Sequence, residues 1–234
     1  MFDSAVVRAR LSGVRDRIAR AAGRAGRDPA SVRLIAVSKT FSSDYIRAAA
    51  DAGQLDFGEN KVQEGLLKMQ ETAGLPLRWH LIGHLQSNKA KKAAEFQAIH
   101  SIDAAALLLK VDEAAQAAGR VIDVLVQVDM AHEPTKHGAR PEDIWPIIEG
   151  ARACRAARLK GLMLLPPAAD DSEQARPHFA ALRSLRDRLV ADGAEPSALA
   201  ELSMGMSHDF EVAVEEGATM VRVGSAIFGS RTAI

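Results

Sequence analysis

Eight short apolar runs alternate with stretches of helical periodicity along this chain, and no other feature of the sequence limits its fold as tightly. The runs cover residues 32–38, 54–58, 77–83, 98–102, 121–128, 159–165, 200–204 and 220–224. Between them the helical stretches fall at about 42–52, 60–71, from 88 onward, 104–118, 141–153, 172–191 and 209–216. Ser42 or Ser43 can cap the first of these, and Pro141 suits the opening turn of the fifth. Parallel strands need helical crossovers, so the alternation predicts a parallel sheet. Eight such units in 234 residues predict an α/β chain closed into a (β/α)8 barrel, one domain spanning residues 1–234. The competing open, doubly wound sheet would carry Gly-x-Gly-x-x-Gly after its first strand, and Ser38-Lys39-Thr40-Phe41 stands there instead. A further helix over residues 3–22, with Val6, Val7, Leu11, Val14 and Ile18 at helical spacing, lies outside the repeat. It either covers the base of the barrel or serves as a dimer contact.

Charge narrows the partners. The 30 basic and 30 acidic side chains cancel, so no overall field draws the chain to nucleic acid or to anionic lipid. The local cluster Lys89, Lys91 and Lys92 reads as a solvated helix face. A single cysteine, Cys154, excludes an intrachain disulfide and a thiolate metal cluster and fits a reducing compartment. Residues 1–27 hold no apolar stretch suited to a signal peptide or membrane span, so a cytoplasmic location is expected.

Barrel chemistry sits at the C-terminal ends of strands, and phosphate is often held by the loops after strands seven and eight. Lys39 ends the first strand. Desolvation there would lower its pKa, as a Schiff-base lysine requires; the plainer alternative is a lysine that leaves the core for water. Ser203, Gly205 and Ser207 lie in the segment that ends strand seven and runs into a helix start, and Gly224-Ser225 end strand eight; together they suit a phosphate cradle, the plainer alternative for the first segment being a Ser or Asp helix cap with methionines filling the core. Arg222, inside an apolar strand, needs a partner: either the lone pair of a ring nitrogen or a carboxylate such as Glu201 or Asp209. Asn60 ends strand two and either contacts a cofactor ring or caps the next helix. His80 and His84 are spaced as a metal pair, but on a strand and its turn rather than a helix; with no third ligand evident, no metal is expected.

These motifs have a family order. Ala36-Val37-Ser38-Lys39-Thr40, Phe57-Gly58-Glu59-Asn60 with Val62-Gln63-Glu64, Trp79-His80-Leu81-Ile82-Gly83 with Leu85-Gln86-Ser87-Asn88-Lys89, Gly161-Leu162-Met163, Leu202 to Ser207, and Val221-Arg222-Val223-Gly224 with Ile227-Phe228-Gly229 run through nearly the whole chain. In this set the chain resembles the pyridoxal 5'-phosphate (PLP) homeostasis protein family, single-domain relatives of the alanine racemase barrel. The resemblance implies a fold-type III PLP barrel without the C-terminal β-domain, with PLP as a Schiff base on Lys39. It implies phosphate contacts from Ser203, Gly205, Ser207, Gly224 and Ser225, Arg222 at the pyridine nitrogen, and Asn60 beside the ring; His80 is counted with this cofactor-binding set. Three departures stand out: Phe41-Ser42 where the family places a proline, Lys136-His137-Gly138 in place of a Lys-Ser-Gly turn, and Ser225 where threonine is common. Lys136 is read as a surface lysine rather than a second aldehyde or phosphate contact.

The function so implied is vitamin B6 homeostasis. A non-enzymatic carrier would hold PLP reversibly and pass it to PLP-dependent apo-enzymes, as a monomer or weak dimer, with no catalytic residues assigned. The alternative is an amino-acid racemase of the alanine racemase type. That chemistry needs a second acid/base opposite the lysine; the only tyrosine, Tyr45, lies on the helix after Lys39, and the chain stops just after its eighth strand. A third reading, a lysine aldolase without cofactor, predicts a colourless protein.

Overall fold

The computed structural model describes residues 3–130 and 137–229. Its strands are β1 (Arg33–Val37), β2 (Asp56–Glu59), β3 (Arg78–Leu81), β4 (Ala98–Ile102), β5 (Ile122–Val128), β6 (Ala157–Leu164), β7 (Glu201–Ser203) and β8 (Met220–Val223). All pairings are parallel, and β8 returns to β1 to close the barrel in chain order. The helices are α1 (Ser4–Arg24), α2 (Ser43–Asp51), α3 (Val62–Glu71), α4 (Ala90–Ala93), α5 (Ala105–Ala117), α6 (Ile144–Ala153), α7 (Arg176–Ala191), α8 (Phe210–Glu215) and α9 (Ser225–Phe228).

Side chains alternate along each strand between the bore and the helical jacket. The outward set, including Leu34, Phe57, Trp79, Ile99, Val124, Leu162, Leu202 and Val221, merges with the buried helix faces into one large core. A separate small cluster of Ile35, Leu125, Met163 and Met220 packs the bore. Between β5 and β6 the register slips by one residue: Val124 faces Leu159 but Leu125 faces Gly161, leaving Lys160 as the bulge.

Several elements differ from the periodicity reading. The stretches at 141–153 and 172–191 each open with a 3-10 turn, Pro141–Asp143 and Ser172–Ala175, before α6 and α7 begin. The basic helix expected from residue 88 is a 3-10 turn, Ser87–Lys89, and the single turn α4; its Lys91 and Lys92 are exposed, as a solvated face should be. The N-terminal helix reaches the base only at its edge, where Arg15 and Ile18 line a cavity with Arg33 and Arg78. It packs along the outside of the barrel against α2, α8 and α9, fastened by Arg17–Glu211 and Arg24–Glu215 ion pairs at 2.7 Å each.

One buried carboxylate fastens the jacket to the sheet. Asp112 on α5 accepts hydrogen bonds at Oδ1 from the amides of Arg155, Ala156 and Ala157, at 2.9, 2.7 and 2.8 Å. Burial would raise its pKa, but these donors and Gln116 outweigh that and hold it below the usual carboxylate value. Its stabilising contribution is therefore present above the ordinary aspartate pKa and disappears as pH falls through the lower folded value. Asp112→Ala is expected to cost about 2–4 kcal/mol at neutral pH, because three amides lose a charged acceptor. Urea unfolding at neutral and acidic pH checks this: the gap between wild type and variant should narrow in acid.

Candidate functional site

Lys39 stands at the C-terminal end of β1, half-buried, on a backbone held from both sides. The buried Lys68 of α3 donates from Nζ to the Ser38 carbonyl at 2.7 Å, and Glu64 accepts the Thr40 amide at 2.5 Å. Thr40 adopts φ 69°, a left-handed conformation that is costly for a β-branched residue, so the turn is held where it would not settle alone. The same Lys68 ammonium pairs with Glu59 at 2.8 Å and Glu64 at 2.7 Å, and Ser38 Oγ donates to Glu59 at 2.7 Å. Glu59 is fully buried, and its second oxygen, Oε2, has no hydrogen-bond partner among the described residues. Burial pushes its pKa above the usual range despite Lys68 and Ser38. Glu59 and Lys68 were not singled out from the sequence. A lysine on the polar face of a helix carries no signal that distinguishes burial from solvation.

Arg222 lies in the bore on β8, only 3% exposed. Its guanidinium donates to Ser203 Oγ at 2.6 Å and to the Leu164 carbonyl at 2.8 Å. Among the described residues no carboxylate lies within ion-pair distance of it: Glu201 pairs with Arg33, and Asp209 caps its own turn on the Met206 amide. Burial pushes the Arg222 pKa down to about 10, which leaves it charged at neutral pH. Ser203 hands the contact on, with its hydroxyl 2.9 Å from His100 Nδ1. His100 Nε2 lies 3.0 Å from His80 Nδ1, and His80 Nε2 lies 3.0 Å from Asp56. Asp56 also takes Arg78 at the base. Burial alone would raise the Asp56 pKa, but the hydrogen bonds from His80 and Arg78 hold it below its ordinary value. His100 is wholly buried, and desolvation, then His80 and Arg222, push its pKa well below the usual value, so it is neutral. With one proton on each ring, one polarity satisfies every contact: Arg222 to Ser203, Ser203 to His100, His100 to His80, His80 to Asp56.

The phosphate candidates divide. Ser207 Oγ accepts from the amides of Gly224 at 3.1 Å and Ala226 at 3.4 Å, so Ser207, Gly224 and the exposed Ser225 converge at the mouth. Gly224 packs on β1, where an added Cβ would lie 3.1 Å from the Val37 carbonyl oxygen, two residues before Lys39. Gly205 has another task. Its φ is 90°, its carbonyl accepts the Arg222 amide, and a Cβ there would meet Ala213 at 2.5 Å, so the glycine lets the turn close on α8. Ser203 and His80 are in the bore, engaged in the chain just described rather than at the mouth. Asn60 does not cap α3, whose N-cap is Lys61; it sits half-buried at the end of β2, with Gly83 packed on its backbone. Lys136 lies outside the described residues. Cavities of about 430 and 390 Å³ open at the base of the barrel, lined by strand N-terminal ends such as Arg33, Asp56 and Arg78. The lysine, the guanidinium and the converging amides are instead associated with the other end.

A parallel barrel with a lysine ending strand one and amides gathered after strands seven and eight defines a class. The chain matches the family model described as Alanine racemase, N-terminal domain, over residues 10–232. A curated relative from Aquifex aeolicus, named pyridoxal phosphate homeostasis protein, is 43% identical over 223 residues, covering 95% of this chain and 97% of the relative. The chain belongs to the pyridoxal phosphate homeostasis protein family, within the alanine racemase N-terminal-domain class. The structure of PipY from Synechococcus elongatus with PLP bound superposes with a TM-score of 0.84 at 39% identity, covering 95% of this chain and all (100%) of that one. An alanine racemase from Clostridium difficile shares the fold, with a TM-score of 0.73 at 17% identity over 96% of this chain and 58% of its own. No helix among the described residues is long and apolar enough to cross a membrane.

Proposed function

We propose that this protein holds PLP covalently and reversibly on Lys39 and serves vitamin B6 homeostasis as a carrier rather than an enzyme. The observation that carries the reading is Arg222, a buried cation with no carboxylate in ion-pair range among the described residues, on the strand paired with β1. A pyridine nitrogen lone pair is an acceptor suited to it. Ser207, Gly224 and Ser225 would hold the phosphate, and Asn60 would lie beside the ring. Ser203 and His80 would act from beneath, by fixing Arg222. When bound, PLP supplies an aldehyde that a lysine amine captures and releases. The clamps on Ser38 and Thr40 hold the Lys39 backbone in place for that exchange.

Arg222 also weighs against racemisation. A guanidinium at the ring nitrogen keeps that nitrogen unprotonated, and the ring then stabilises a carbanion poorly. Tyr45 is packed against Phe41 and Phe228, with ring centroids 5.0 and 6.2 Å away, in an aromatic group over α2 and α9. The carrier would work in the cytoplasm as a monomer or weak dimer and deliver PLP to apo-enzymes.

The test is spectroscopic. Protein incubated with PLP should turn yellow, lose its visible band on borohydride treatment, and carry the added mass on the peptide containing Lys39. Lys39→Ala should abolish the adduct, and D- and L-amino acids should keep their optical purity. A colourless protein, an adduct on another lysine, or racemisation that needs Lys39 would refute the reading.

A further inference from the structure

The sequence offers His80 and His84 as a histidine pair, and the fold separates them. His80 is buried in the bore, while His84 follows β3 at the mouth and meets two other groups there. Asp103, directly after β4, places a carboxylate oxygen 3.6 Å from His84 Nδ1. His137, in the segment that returns to β5, stacks on His84 with ring centroids 3.6 Å apart and planes 11° from parallel. One ligand atom from each of the three side chains lies within 4.8 Å of the others. We propose that His84, Asp103 and His137 bind a divalent transition-metal ion of the Zn2+ or Co2+ kind, with water completing its coordination.

The donor set selects the class of ion. Two imidazole nitrogens and one carboxylate suit late first-row divalent ions and leave open positions, whereas Ca2+ and Mg2+ favour all-oxygen surroundings. The mounting is firm. Ser101 Oγ donates to the Gly83 carbonyl at 2.7 Å, tying the residue before His84 to β4 two positions ahead of Asp103. Ala139 pairs with β5, its amide donating to Gln127 at 2.8 Å, and the Gln127 side chain holds the His137 carbonyl. Three adjacent strands therefore fix three backbones, and only side-chain torsions remain to adjust. One adjustment is required, because two parallel imidazoles cannot both point a lone pair at one ion. One ring must swing out of the stack, and both histidines are exposed enough to do so. The ion would offset the charge of the Asp103 carboxylate, which already faces His84 Nδ1. Strands β3 to β5 lie across the ring from β7 and β8, so the site is separate from the phosphate amides and does not depend on the PLP reading. His137 is also the residue at which this chain departs from the Lys-Ser-Gly turn of the family it resembles.

Untagged, chelator-treated protein titrated with Co2+ tests this through visible ligand-field absorption and calorimetry. The expected result is one Co2+ per chain, displaced by Zn2+. His84→Ala and His137→Ala should each weaken binding about tenfold or more, since even outer-shell losses reach that size at metal sites. An unchanged far-UV circular dichroism spectrum in both variants shows that the loss is local. Failure of the wild-type chain to bind one equivalent, or wild-type affinity retained in both histidine variants, would overturn the proposal.

Discussion

Replacing Lys68 with methionine is expected to remove about 3–5 kcal/mol of folding stability at neutral pH, the cost of leaving a buried carboxylate without its cation. Lys68 is 5% exposed, and its ammonium serves Glu59, Glu64 and the Ser38 carbonyl together. Glu59 would then stand fully buried with one orphaned oxygen and Ser38 as its remaining donor. Its pKa is already raised by burial, so the folded chain holds that proton more tightly than the unfolded chain. The stability contributed by the protonated form is present below the unfolded pKa and fades as pH rises through the folded value. Losing Lys68 moves the folded value further up, so the deficit of Lys68→Met should be smaller in mild acid than at neutral pH. Adding Glu59→Gln should recover much of the loss, because the remaining group carries no charge. Urea unfolding of both variants across this pH range measures each part. An equal deficit at every pH would show that Lys68 acts by packing alone.

A smaller change should be nearly as damaging. Gly161→Ala on β6 places a methyl group 1.8 Å from the Glu201 carbonyl oxygen, an atom of the neighbouring strand's backbone. Neither strand can give way cheaply, because β6 is pinned by seven register pairs to β5 and β7 is only three residues long. The expected cost is about 3 kcal/mol, the upper part of the range for overpacking. Gly150→Ala is the control. That glycine lies within α6, and its added methyl would meet only Ala105 and Leu108, at 3.8 and 3.9 Å. Alanine there should raise stability by about 0.5–1 kcal/mol through helix propensity. Thermal and urea unfolding of the two variants should move in opposite directions.

The barrel was legible because its signal is local and repeated. A strand such as 98–102 is read from its own residues, and β4 has those bounds. Helix starts were less legible: Pro141 fits a first turn and the stretch from residue 172 reads as helical, but whether the opening turn is 3-10 or α depends on contacts made by the helix body. In the site, strand-end logic singles out Lys39, Ser207 and Gly224, whose positions follow from chain order alone, and Arg222 stands out as a charge inside an apolar strand. Ser203 and His80, counted with the cofactor-binding set, are inward-facing residues within strands, at the depth where the bore chain runs. Inward alternation would have flagged His100 beside His80 on neighbouring strands. Nothing local announces Glu59–Lys68, because a buried ion pair is recognisable only once both partners are known to share a pocket.

The bore chain has an electrical consequence. With one proton on each ring, its four contacts from Arg222 to Asp56 run in one sense, and Asp56 at the far end is already neutralised by Arg78, so the charge left without an ion-pair partner among the described residues is the Arg222 cation. The charge of the chain is therefore concentrated at its Arg222 end. An incoming anion or lone pair meets a cation that need not first break an ion pair.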